Sequence, residues 1–164
     1  MDPSLRLNSV TKPDAYRPTE FEFAKDRRLM APLIVIIDDD FGIRNALRSL
    51  MRSMNYRVET FAGADAFVAS KAADQSDCII TDVAMPGMNG LELAALLKSR
   101  GCMVPVILIS ALTDAALELK ATVNGARCLL RKPVESDALI SLVEESIASR
   151  PPAPRSPEPA DQRL

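Results

Sequence analysis

Apolar runs alternate with amphipathic stretches from Leu33 to about Ala148, and the alternation predicts five strands and five helices. Leu33 to Ile37 is an unbroken apolar run rich in Ile and Val, as expected of a strand buried on both faces. Ile43, Ala46, Leu47, Leu50, Met51 and Met54 recur at helical spacing and predict an amphipathic helix with Met51 and Met54 in the core. Asn55 follows as a left-handed cap. Tyr56 to Thr60 reads as a second strand and Ala64 to Ala72 as a second helix. Cys78 to Ile80 is a third strand that runs out at Thr81-Asp82, and the turn-rich Met85-Pro86-Gly87-Met88-Asn89-Gly90 follows it. Leu91 to Ser99 is helical, with Leu93, Leu96 and Leu97 inward and Asn89 as N-cap. Val104 to Ile109 gives a fourth strand, and Ala115 to Val123 a weaker helix closed by Asn124-Gly125. Cys128 to Leu130 gives a fifth strand. Glu135 to Ala148 is the last helix, with Leu139, Leu142, Val143 and Ile147 on one face.

Short strand–helix spacing of this kind forces parallel strands and right-handed crossovers. The expected fold is α/β, a doubly wound five-stranded parallel sheet of the flavodoxin-like order 2-1-3-4-5 with helices on both faces. In that order strands 1 and 3 are neighbours at the switch point, where ligands bind beyond the carboxyl ends. Residues 1–31 are polar and aperiodic and read as a disordered or weakly structured extension; residues 32–149 form the domain. Residues 150–164 carry five prolines and read as a disordered or polyproline II tail. Met30 stands at the edge of the domain and is an alternative start to Met1.

Composition removes several function classes. The chain of 164 residues contains no histidine, so Ser-His-Asp and Cys-His catalysis, His-ligated metals and phosphohistidine on this chain are excluded. Cys78, Cys102 and Cys128 lie in or beside apolar runs without a Cys-x-x-Cys pair; they read as reduced core residues, with no zinc ligand set. The net charge of −2 leaves no basic footprint for direct nucleic-acid binding. No apolar run approaches the ~20 residues that span a bilayer, and no signal-peptide core follows the N-terminal charges. The expectation is a cytoplasmic protein that does not engage membranes.

The polar residues that remain collect at strand ends. Strand 1 ends in Asp38-Asp39-Asp40, strand 3 in Asp82, strand 4 in Ser110 and strand 5 in Arg131-Lys132-Pro133. Two carboxylates about 4 Å apart repel by roughly 4 kcal/mol at an effective dielectric near 20. Converging acids therefore take up a proton or a divalent cation. Hard oxygen ligands in small number suit Mg²⁺, which keeps several waters and often bridges to phosphate. Lys132 supplies a positive charge and Ser110 a hydroxyl for phosphoryl oxygens, and an aspartate can attack phosphorus. The set reads as a phosphoryl-transfer site. The reading requires Asp38, Asp39 and Asp82 to converge, Lys132 to face them, and Asp82 to be reachable from solvent. Asp40 reads as a structural helix-end charge.

The ordered pieces Ile36-Ile37-Asp38-Asp39-Asp40, Ile79 to Gly90, Val106 to Ala111, Asn124-Gly125-Ala126 and Lys132-Pro133 resemble a response-regulator receiver domain of two-component signalling. They are most similar to the nitrogen-fixation regulator type. The resemblance implies a phosphoprotein that carries 4-aspartylphosphate at Asp82, received from a histidine kinase or histidine phosphotransfer protein. It implies Mg²⁺ on Asp39 and Asp82, with Asp38 acting largely through water and the Ala84 backbone carbonyl completing the ligands. Ser110 and Lys132 then contact the phosphoryl oxygens, and the Lys132–Pro133 bond is expected to be cis. Ala84 and Leu112 stand where such domains tune phosphoaspartate lifetime. Ser110 and Leu129 occupy the switch positions, but Leu129 replaces the usual aromatic residue and Val134 the frequent Phe after Lys-Pro.

The resemblance further implies a phosphoacceptor rather than an enzyme. With only a proline-rich tail after Ala148, the expectation is a stand-alone receiver that signals to an unidentified protein target. Homodimers through the fourth helix, fifth strand and fifth helix belong to the same expectation. Two other readings exist. One is a pseudo-receiver that binds a partner without phosphorylation. The other is an aspartate-nucleophile phosphatase of the haloacid dehalogenase type, suggested by Asp38-x-Asp40. The second leaves Asp82 without a role and lacks the later acidic pair.

Overall fold

In the computed structural model of the chain, the described residues are 30–150; the expectations for 1–29 and 151–164 lie outside them. The strands are β1 (Leu33–Ile37), β2 (Arg57–Phe61), β3 (Cys78–Asp82), β4 (Val106–Ser110) and β5 (Cys128–Arg131). The helices are α1 (Phe41–Ser53), α2 (Ala64–Ser70), α3 (Gly90–Ser99), α4 (Ala115–Val123) and α5 (Ser136–Ala148), and a 3₁₀ turn covers Ala72–Gln75. All pairings are parallel, and the sheet order is β2-β1-β3-β4-β5, as the spacing predicted.

The apolar runs read as strands buried on both faces because both faces are covered. Val35, Ile37, Ile79, Val106 and Leu108 enter one core cluster with Phe67 of α2, Leu93 and Leu97 of α3 and Ala121 of α4. Their strand neighbours Ile34, Ile36, Ile80, Ile107 and Ile109 enter the other, with Leu47 and Met51 of α1 and Leu139 and Val143 of α5. This alternation is the two-residue side-chain period of a strand. Two helices pack on one face and three on the other.

Local signals set most element ends. Asp40 caps α1, its Oδ1 accepting from Ile43 N–H at 2.9 Å. Asn89 caps α3 in a reciprocal capping box with Glu92, both bonds 2.9 Å long. Asp114 caps α4 through Leu117 N–H. Asn55 and Gly125 take positive φ just past α1 and α4.

Several expectations need correction. Met51 is fully buried, but Met54 is exposed, because it is the C-cap of α1, where the chain leaves the helix. Leu96 is only half-buried, and Ala94 takes the inward place beside Leu93. The second helix ends at Ser70 rather than Ala72. There Lys71 adopts a left-handed φ of 59°, and Ser70 Oγ accepts from Ala72 N–H in place of the next helical bond. The second strand is Arg57–Phe61, one residue later than expected, and the fourth begins at Val106 rather than Val104. Of the cysteines only Cys78 is buried; Cys102 and Cys128 are half-buried. Burial pushes the Cys78 thiol up to about 12, which makes it inert at neutral pH.

Candidate functional site

The switch point between β1 and β3 holds the predicted acids. Register pairs Ile37 with Thr81, so the next residues, Asp38 just past β1 and Asp82 at the last position of β3, stand side by side. Asp38, Asp39 and Asp82 each place a carboxylate oxygen within 4.8 Å of the others. Lys132, just past β5, closes the group: its Nζ lies 3.1 Å from Asp82 Oδ2 and 3.2 Å from Asp38 Oδ2. Ninety-four residues separate that lysine from Asp38 in sequence. The Lys132–Pro133 bond is cis.

The acids are held differently. Asp38 is buried and fully engaged. Its Oδ1 accepts from Asp40 N–H, its N–H donates to Phe61 O at 3.2 Å, and its carbonyl accepts from Arg44 Nη1 at 2.6 Å. Asp39 is exposed. Asp82 is buried too, more so than the sequence reading expected, but its side chain keeps 8% of its surface, against 19% for Lys132, and so retains a narrow opening to solvent. Burial raises the Asp82 carboxyl above its ordinary value. The hydrogen bond and charge of Lys132 and the N–H of Ala84 oppose that rise, while the Asp38 charge adds to it. Burial alone would depress Lys132, but its bonds to Asp82 and Asp38 outweigh that and raise it above an ordinary lysine. The ammonium is therefore charged at neutral pH and partly offsets the acids.

Ser110 ends β4, one residue beyond the Asp82–Ile109 pair, with its Oγ accepting from Leu112 N–H at 3.1 Å. Ala84 is exposed in the β3–α3 loop. Leu129 is half-buried against the core cluster, paired with Leu108. Sequence reasoning missed two residues. One is Arg44, whose position four residues after the Asp40 cap puts it on the first turn facing the strand end. The other is Asp65 of α2, whose Oδ2 lies 3.4 Å from Met88 N in the loop after Asp82, a contact across 23 residues that no local pattern announces.

A divalent cation suits this donor set. Asp38, Asp39 and Asp82 offer hard carboxylate oxygens that converge within 4.8 Å of one another, a set small enough that a Mg²⁺ held there would keep several waters. Burial first, and the Asp38 charge in lesser part, hold the Asp82 carboxyl above its ordinary value, and a bound cation would favour its charged form. No helix among the described residues is long and apolar enough to cross a membrane.

Residues 34–144 match the family described as "Response regulator receiver domain". The chain is similar to the transcriptional regulatory protein FixJ of Bradyrhizobium diazoefficiens, 33% identical over 75% of this chain and 60% of that one. It is similar to the response regulator protein TodT of Pseudomonas putida, 35% identical over 74% of this chain and 53% of that one. Among solved structures, response regulator StyR superposes with a TM-score of 0.68 at 34% identity, covering 73% of this chain and 61% of that one. The chain thus spans a little over half the length of the curated relatives it matches. The parallel order β2-β1-β3-β4-β5, the acid pocket at its switch point and the match over 34–144 agree, and the chain belongs to the response regulator receiver domain family of two-component systems.

Proposed function

We propose that Asp82 accepts a phosphoryl group from a phosphohistidine on a histidine kinase or phosphotransfer protein. An Asp82 carboxylate oxygen attacks phosphorus, the P–N bond of the donor breaks, and the donor imidazole leaves as an acyl phosphate forms. Asp38, Asp39, Asp82 and the Ala84 carbonyl would hold Mg²⁺, which would neutralise charge on the transferring group. Lys132 then turns from the carboxylates it now bridges to a phosphoryl oxygen, and Ser110 gives its hydroxyl to another. The observation that carries this reading is the approach of Lys132 Nζ to 3.1 Å from Asp82 within a cluster of three acids.

Intact-mass analysis after incubation with acetyl phosphate and Mg²⁺ tests it. One phosphoryl group is expected on the wild-type chain and none on Asp82→Asn. A chain that stays unmodified with Mg²⁺ present supports the pseudo-receiver reading instead. Asp82→Asn is also expected to stabilise the metal-free protein by about 1 kcal/mol, since it removes a desolvated charge at a site selected for function. Denaturant unfolding in a chelator measures that gain.

We further propose output through protein contacts. Leu119 and Val123 lie four residues apart on α4 with 65% and 61% of their surface exposed, and Leu112 just before the helix is more open still. These residues support a phosphorylation-dependent homodimer through α4, β5 and α5. Sedimentation of the phosphorylated chain is expected to show the dimer, and a monomer at micromolar concentration rejects it. Leu129 offers neither ring nor hydroxyl, so any switch from Ser110 proceeds without an aromatic flip. The mass of the native protein decides between a stand-alone receiver and the receiver portion of a longer regulator.

A further inference from the structure

We infer that Arg44 is a positioning residue for Asp39, a role that rests on the phosphoacceptor reading above. Ile37–Phe61 is the last register pair of β1 and β2, so the Asp38 carbonyl lies beyond the ladder. Arg44 Nη1 donates to it at 2.6 Å and takes the place of the missing strand. Because a peptide unit is planar, fixing the Asp38 oxygen fixes the unit that leads into Asp39. The unit that follows is fixed from the other side: Asp40 N–H donates to Asp38 Oδ1 at 2.8 Å. Asp39 is bracketed between two tethered peptides. Lys132 contacts Asp38 and Asp82 but not Asp39, so the bracket sets the direction of the Asp39 carboxylate.

The clamp is itself braced. Arg44 N–H donates to Asp40 O at 3.0 Å, and the guanidinium lies over the Phe41 ring, 5.6 Å from its centroid. Phe41 is 72% exposed and adds little to the core. Its ring restrains Arg44 instead, as cation–π stacking allows.

Charge and geometry make opposite predictions. Removing a cation beside an acid cluster should tighten Mg²⁺ binding, whereas removing an orienting group should weaken it. Mg²⁺ titration of the full chain, followed by backbone amide NMR, separates the two. Arg44→Met keeps length without a donor and is expected to weaken Mg²⁺ about tenfold, the low end for loss of a group that orients a metal ligand. Arg44→Lys, which keeps one donor and the charge, is expected to recover part of that loss. Equal or tighter binding by Arg44→Met overturns the inference, as does a drop in melting temperature with unchanged Mg²⁺ affinity. If Arg44→Met fails to fold, exposed Phe41→Ala replaces it: roughly twofold weaker binding is expected from loss of the ring contact, and unchanged binding overturns the clamp. Wild-type protein with no Mg²⁺ response at Asp39 and Asp82 sinks the phosphoacceptor reading itself, before any variant is made.

Discussion

Lys132→Ala is expected to destabilise the metal-free protein by about 2 kcal/mol and to slow phosphorylation of Asp82 by roughly 100-fold. The stability effect follows from its place between two acids, 3.2 Å from Asp38 and 3.1 Å from Asp82. Removing one partner of a buried ion pair typically costs roughly 3 to 5 kcal/mol because a charge is left uncompensated. The figure is lower here because Lys132 keeps some contact with water and Asp82 can take up a proton. The rate effect follows from loss of a fixed cation where charge develops on the phosphoryl oxygens. Saturating Mg²⁺ should restore most of the stability but little of the rate, since a bound cation would neutralise the acids without replacing the lysine's own fixed charge and N–H donors. A double-mutant cycle with Asp82→Asn should show coupling of 1 kcal/mol or more, roughly, as expected for residues in direct contact. Additive effects in that cycle would remove Lys132 from the site.

The same pair fixes the sign of the pH dependence in a chelator. The folded protein raises the Asp82 carboxyl, so it holds that proton more tightly than the unfolded chain does. That contribution to stability is complete below the ordinary carboxylate value and is lost as pH rises through the raised one. Lys132 works at the other end. Its raised value gives a contribution that is complete below the ordinary lysine range and is lost only at more alkaline pH. Lys132→Ala should therefore steepen the loss on the acid side, because the lysine was what lowered Asp82, and abolish the alkaline limb. Unfolding free energies measured across the pH range in EDTA read both slopes. An acid limb identical in Asp82→Asn and wild type would show that Asp82 is not the group responsible.

The fold was legible where one physical cause acted alone. Leu33 to Ile37 could be read as a strand covered on both sides because no polar residue interrupts it, and α4 could be bounded because Asn124-Gly125 stops it. Met54 misled because helical spacing continues past the point where the chain leaves the helix; periodicity tells which residues share a face and not where the helix ends. The end of α2 was hidden by a competition that composition does not display, between one more helical turn and the Ser70 side chain. For the site, the order of acids and lysine at strand ends was enough to anticipate that Asp38, Asp39, Asp82 and Lys132 converge, since parallel βα units send every strand's carboxyl end to one edge. Distances were not. That Lys132 bridges two carboxylates, that Asp82 is mostly covered and that Arg44 reaches a backbone oxygen depend on side-chain directions set only once the sheet has closed.

Gly90→Ala should be the most damaging single methyl addition near the pocket, lowering stability by about 3 kcal/mol or preventing folding. Gly90 opens α3, and its backbone crosses the end of β3 so closely that no side chain fits. A Cβ there would fall inside van der Waals contact of the Asp82 carbonyl oxygen, 3.0 Å from its carbon and 3.1 Å from Val83 Cα. These are backbone atoms, so no rotamer change relieves the overlap; either α3 or the end of β3 must move. Moving α3 stretches the 3.0 Å bond from Gly90 N–H to Val83 O, which ties the loop after Asp82 back to its own start. Moving β3 shifts Asp82 relative to Asp38 and Lys132. Stability and site are thus coupled at this glycine, and a folded Gly90→Ala should also bind Mg²⁺ less tightly. Gly63→Ala is the control: a Cβ there meets nothing within 4 Å, and the change is expected to stay within about 1 kcal/mol of wild type. Denaturant unfolding of the two variants side by side measures the difference. If Gly90→Ala proved as stable as Gly63→Ala, the close passage of α3 over the end of β3 would be wrong, and the placement of Asp82 beside Asp38 would be in doubt with it.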